Sequence, residues 1–164
     1  MAMSIKARYS KQDEIRPAFT MIELVFVIVI LGILAAVAIP RLGASRDDAV
    51  LVKGQSQVSA IRSGIALQKS KRLLEGMITP LPNLDLETNY SVDNQRLFNF
   101  ADGNTSNVLE YPILSQTNRD GGWVKTNANI YAFRFMGVVH TFDYNATTGA
   151  FTCTAGANCN DLTR

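Results

Sequence analysis

The chain has 164 residues, enough for one domain, and a formal net charge of +2, which excludes nucleic-acid binding driven by bulk charge and leaves only a local patch as a route to DNA. Its hydrophobic share of 47% is ordinary in amount but is concentrated in one block near the N-terminus, outside which about 120 residues remain for a small core. The charge excess lies wholly in the first 18 residues, where Lys6, Arg8, Lys11 and Arg16 face Asp13 and Glu14; from residue 19 onward cations and acids balance.

Residues 19–39 follow this basic leader and are apolar except for Thr20 and Glu23. A helix of that length rises about 30 Å, the thickness of a bilayer core. Cations before the block hold the N-terminus on the cytoplasmic side and send the remaining chain across. A secretory signal peptide has its small-residue cleavage site after the apolar region. Here the small residue Ala18 stands before it, although Leu34-Ala35-Ala36 leaves a cut after the run open. Glu23 is out of place, since a carboxylate in hydrocarbon costs at least ~2.5 kcal/mol without a partner. It either snorkels or protonates at the interface, or it finds a cation. A cut between Ala18 and Phe19 would make one: an α-ammonium four residues away, one helical turn, able to pair with Glu23 of its own or of a neighbouring chain.

The run Arg16-Pro17-Ala18-Phe19-Thr20-Met21-Ile22-Glu23-Leu24-Val25 resembles the prepilin processing motif of type IV pilins and of the pseudopilins of type II secretion. The resemblance covers roughly residues 16–42. It implies that a prepilin peptidase cuts before Phe19, that the new amine of Phe19 is N-methylated, and that Glu23 is the glutamate needed for assembly. Gly32 and Pro40 fall where the family often has a helix glycine and a kink proline, with a segment between them that loses helicity in the fibre. Ala18 departs from the glycine that the family prefers before the cut, which implies slower processing or an accommodating peptidase.

Pro40 lacks a donor and clashes with the carbonyl of Ala36, so the helix is expected to bend or loosen there. It then resumes, with Ser45 as a cap, Asp47 and Asp48 in its first turn, and a stripe of Leu51, Val58, Ile61 and Ile65. Gln68 and Arg72 dilute that stripe, while Ala66, Leu73 and Met77 continue an adjacent one. Gly54 and Gly64 weaken the helix, and Gly76 and Pro80 stop it. Residues 77–128 read as loop, rich in Asn, Asp, Thr and Ser. Strands are expected at 130–135, where Tyr131, Phe133 and Phe135 share a face, at 138–144, and at 150–154, joined by turns at Met136-Gly137 and 145–149. The expected architecture is α+β: a basic leader at 1–18, a transmembrane and assembly helix at 19–40, and a globular domain at 41–164. That domain holds a helix at 44–76, the loop 77–128, an antiparallel meander at 129–154 packed on the helix, and a C-terminal tail. It also resembles the pilin fold.

Cys153 and Cys159 cannot build a tetrahedral zinc site alone. Beyond a membrane they read as a small disulfide loop, with free thiols as the alternative. The sequence contains no phosphate-binding glycine motif, no Gly-x-Ser-x-Gly elbow and no His-Glu-x-x-His, and no catalytic residue, metal site or cofactor is expected. His140 reads as structural or solvent-facing. Asp120, Asp143 and Asp161 would hold calcium only if the fold gathered them. Asn89, Asn104 and Asn145 are the only Asn-x-Ser/Thr sites, and each has an acid two residues earlier: Glu87, Asp102 and Asp143. That pattern resembles the extended acceptor of some bacterial oligosaccharyltransferases.

Together these readings lead us to expect a non-enzymatic filament subunit, held in a bacterial inner membrane by one helix with its domain in the periplasm. Its filament would stand in the periplasm or at the cell surface. The family resemblance implies as partners further copies, other pilins or pseudopilins, the peptidase–methyltransferase, and an assembly platform with its ATPase. Nucleic acid is not an expected partner. Two rivals stay open: a periplasmic domain merely tethered by residues 19–39, and a competence pilin that takes up DNA, which salt-sensitive DNA binding would reveal.

Overall fold

A computed structural model describes residues 19–100 and 106–164. The leader 1–18, with Ala18, and Asp102 and Asn104 of one Asn-x-Ser site, lie outside the described residues. The elements run in the order α1 (Met21–Leu74), β1 (Arg96–Leu97), β2 (Ile113–Leu114), β3 (Trp123–Asn127), β4 (Ile130–Phe135), β5 (Val138–Asn145), β6 (Ala150–Ala155) and α2 (Cys159–Leu162). The protein is thus α+β, an apolar N-terminal helix followed by an antiparallel sheet. It divides into two compact units, Met1–Arg41 and Leu42–Arg164.

The helix is continuous over 54 residues, so Ser45 lies inside it and does not cap a fresh start. Both Gly32 and Pro40 lie inside it. Proline removes one backbone bond at a cost of ~3 kcal/mol, but the alanines and leucines around it lose little on entering a helix, so one lost bond does not end the run. The helix does end where expected. The Met77 N–H donates to Arg72 O (2.8 Å) and the Gly76 N–H to Leu73 O (3.1 Å), with Gly76 at φ +80°. This is the paired closure that favours glycine at the left-handed position.

In the unit Leu42–Arg164 the sheet order is β3-β4-β5-β6, every pair antiparallel, with β1 and β2 forming a separate two-stranded ribbon. The alternation in β4 buries Tyr131, Phe133 and Phe135. These meet Trp123, Phe142, Tyr144 and Phe151 in an aromatic core, where the Phe142 and Phe151 rings stack at 5.3 Å between centroids. From α1, Val58, Ile61 and Ile65 enter this core. Close approach is enabled by two glycines: a Cβ at Gly54 would lie 2.7 Å from Leu162 Cδ2, and one at Gly64 would run into the carbonyl oxygen of Val108. The helix-propensity cost of those residues is therefore offset by packing.

Three expectations need correction. First, Ala66, Leu73 and Met77 are exposed, whereas Gln68 is buried. Its Nε2 donates to Asn107 O (2.6 Å), so a satisfied amide takes the inward position. Second, the region read as loop contains β3, which pairs with β4 in the register Trp123↔Phe133 and Lys125↔Tyr131, and also the ribbon strands β1 and β2. Third, the C-terminal tail carries α2, whose Leu162 is fully buried.

The segment between α1 and β3 is held down by a buried charge. Asp85 is almost fully buried and forms an ion pair with Lys125 (Nζ–Oδ1 2.7 Å). Its carboxylate also accepts from the Tyr131 hydroxyl (2.9 Å), the Phe98 N–H (3.3 Å) and the Glu87 N–H (3.2 Å). Lys125 Nζ donates in addition to Glu87 O (2.7 Å). Burial, then the Asp85 charge, then the hydrogen bond to it push the Tyr131 phenol above its ordinary value of 10.0. A phenol that holds its proton more tightly in the folded state contributes stability fully below the unfolded value, and that contribution is lost as pH rises past it. The urea midpoint is therefore expected to fall as pH is raised above about 10, and to fall less steeply in Tyr131→Phe. An identical alkaline slope in the variant would show that Tyr131 plays no such part.

Candidate functional site

The N-terminal part of α1 is the segment with no interior of its own. Met21–Ile39 is 19 residues long and apolar enough to cross a membrane, and none of its residues is buried. A segment of this kind is suited to cover by lipid or by other apolar helices. Within the unit Met1–Arg41, Ile22, Glu23, Val25, Phe26 and Val29 line a shallow groove, in which Glu23 is the one ionisable side chain.

Glu23 is held by its own helix end. Thr20 precedes the first helical residue, and its Oγ1 accepts from the Glu23 N–H (3.3 Å). In return the Glu23 carboxylate oxygen Oε2 accepts from the Thr20 N–H (3.4 Å) and lies 3.5 Å from Thr20 Oγ1. This reciprocal arrangement is a capping box, Thr-x-x-Glu, which satisfies helix-end donors and places an acid at the positive end of the helix dipole. The signal lay in the spacing Thr20-Met21-Ile22-Glu23, and reading Glu23 only against the membrane missed it. Its bonds are long, and hydrogen bonds at 3.4–3.5 Å are weak. The carboxylate is therefore oriented toward the chain start by contacts that a nearby cation would readily replace. Phe19 is exposed and stands two residues before α1.

Comparison with models of protein families, with curated proteins and with solved structures found no match. The residues themselves therefore carry the functional argument.

The other residues singled out in the sequence fall in the unit Leu42–Arg164. Cys153 and Cys159 are joined in a disulfide across a separation of six residues. So short a loop contributes at most ~2 kcal/mol by chain entropy, and here it fixes α2 against β6. His140 is fully buried in β5; its Nε2 accepts from the Asn158 N–H (3.3 Å), tying down the same tail. Arg62 of α1 reaches the tail too, donating to Phe151 O (3.1 Å) and Thr163 O (3.2 Å). Asp120 is occupied by the Gly137 N–H (3.0 Å). Among the described residues no group of three His, Cys, Asp or Glu side chains is placed to hold a metal ion, so Asp120, Asp143 and Asp161 do not converge. Asn89 and Asn145 are both exposed.

Proposed function

We propose that this chain is a structural subunit of a type IV filament, a pseudopilin of a type II secretion system or a closely related pilin, which polymerises through Met21–Ile39. The observation that carries this reading is the Thr20–Glu23 box at the head of the apolar segment Met21–Ile39, none of whose residues is buried. It is supported by the processing-like sequence around Phe19, by the disulfide, which fits an oxidising compartment beyond the membrane, and by a second compact unit, Leu42–Arg164, that begins after the apolar segment.

The mechanism is mechanical. A prepilin peptidase removes the leader before Phe19, and the new N-terminal amine is methylated without losing its capacity for positive charge. The subunit waits in the inner membrane with Glu23 weakly held by Thr20. An assembly platform driven by its ATPase lifts the subunit, the Glu23 carboxylate exchanges Thr20 for the Phe19 amine of a neighbour, and the apolar helices bundle as the filament core. The globular units then form the outer shell.

Mass spectrometry of the protein extracted from its native membranes tests this reading at its first step. The expected mature N-terminus is methylated Phe19. Retention of Met1, or a cut beyond Ile39, would leave only a tethered or secreted domain.

A further inference from the structure

We infer that Asn145 is an acceptor for an N-linked oligosaccharide, and that the fold distinguishes it from Asn89, which has the same sequence pattern. The inference requires only that the unit Leu42–Arg164 reach the far side of the membrane, and it is independent of filament assembly. An enzyme that reads acid-x-Asn-x-Ser/Thr must reach three side chains together: a carboxylate for a cationic contact, the carboxamide that reacts, and a hydroxyl for a hydrogen bond.

At the end of β5 all three are free of the core. Asp143, Asn145 and Thr147 are exposed, while the intervening Tyr144 points inward and donates its hydroxyl to Leu81 O (2.8 Å). Tyr144 thus anchors the strand while its neighbours face solvent, as expected of strand alternation. In the turn that follows, Asn145 Oδ1 accepts from the Thr147 N–H (2.9 Å) and the Thr148 N–H (3.2 Å). Those bonds engage the carboxamide oxygen of an exposed residue and do not use its nitrogen, the reacting atom.

At Asn89 the same spacing is spent differently. Glu87 is half-buried; its Oε1 accepts from the Arg96 N–H (3.0 Å) and its Oε2 from Gln95 Nε2 (3.2 Å). Gln95 Nε2 also donates to the Asn89 carbonyl (2.9 Å). An enzyme would have to break these bonds before reading the acid. Asn104 lies outside the described residues and is not included.

The transfer needs a sugar carried on a polyprenyl diphosphate. The Asn145 Nδ2 forms a bond to the anomeric carbon as the bond from that carbon to the diphosphate oxygen breaks. The diphosphate leaves with the electron pair, and the proton lost from Nδ2 passes to a base of the transferring enzyme. No oxidation or reduction is involved.

Trypsin separates the two sites, since residues 73–96 carry Asn89 and residues 135–164 carry Asn145. The full chain is extracted from its native membranes and the two peptides are weighed. The expected result is a saccharide mass on 135–164 that is absent from Asn145→Gln, with 73–96 at its polypeptide mass. In Asp143→Ala, which removes an exposed side chain and so leaves the fold intact, occupancy should fall roughly tenfold or more, the loss of one charged hydrogen bond. A bare polypeptide mass for 135–164, equal or greater occupancy on 73–96, or full occupancy in Asp143→Ala would each overturn the inference.

Discussion

Replacing Glu23 with alanine is expected to leave a subunit of normal abundance in the membrane and to lower filament yield at least roughly tenfold. Abundance should hold because no residue of Met21–Ile39 is buried, and the capping bonds lost are long. Yield should fall because the amine of Phe19 would then enter the filament core unpaired. One unpaired charge in a low-dielectric interior costs more than the ~1.4 kcal/mol that separates tenfold steps. A second variant identifies the cause. Glu23→Gln can still accept from the Thr20 N–H, so it preserves the capping box while removing the charge. If Gln assembles as poorly as Ala, charge pairing is responsible. Wild-type yield from either variant, measured as sheared or sedimented filament per cell, would end the pairing account.

Asp85→Ala is expected to destabilise the globular unit by ~3–5 kcal/mol, because it strands the Lys125 ammonium in a buried site and orphans three further donors. That is a large part of the ~5–15 kcal/mol that holds an ordinary domain together. Replacing the pair together, with Asp85→Leu and Lys125→Met, should cost less, since the same three donors lose their acceptor but no charge is left unpaired. Trp123 is the sole tryptophan and is fully buried in β3, the strand that carries Lys125, so its emission reports unfolding of the detergent-solubilised full chain in urea. A single variant no worse than the double would show that the pair contributes nothing specific.

How far the sequence disclosed this arrangement depends on how local each signal was. The strands β4, β5 and β6 could be read because alternating aromatics and turn residues lie within a few positions of one another, as at Tyr131, Phe133 and Phe135 followed by Met136-Gly137. The strand β3 could not, because of its two inward positions, Trp123 and Lys125, the second is a residue that reads as solvent-facing until its partner is known. That partner, Asp85, lies 40 residues away, and no short-range pattern announces such a pair. The same reasoning covers Leu81 and Leu84, which are buried while Leu86 beside them is exposed, so apolar identity alone does not mark the inward positions. Gln68 was misjudged for the same reason as Lys125, since its acceptor, the Asn107 carbonyl, comes from a distant segment.

The candidate site was more open to reading than the fold around it. A basic leader, an apolar run and a single misplaced acid are consecutive in the chain, and the physics that makes Glu23 costly needs no tertiary contact. Thr20, three residues earlier, carried a signal of the same local kind. The difference between Asn89 and Asn145 was not local, because it turns on Gln95 and Arg96 engaging Glu87.

The most direct measurement of the central claim is a dipolar contact in purified filaments assembled from two pools of subunits, one with the Phe19 amine nitrogen labelled and the other with the Glu23 carboxyl carbon labelled. Pairing between subunits predicts a nitrogen–carboxylate contact within ~4 Å across the two pools. A contact that vanishes on mixing and survives only when one chain carries both labels would contradict it.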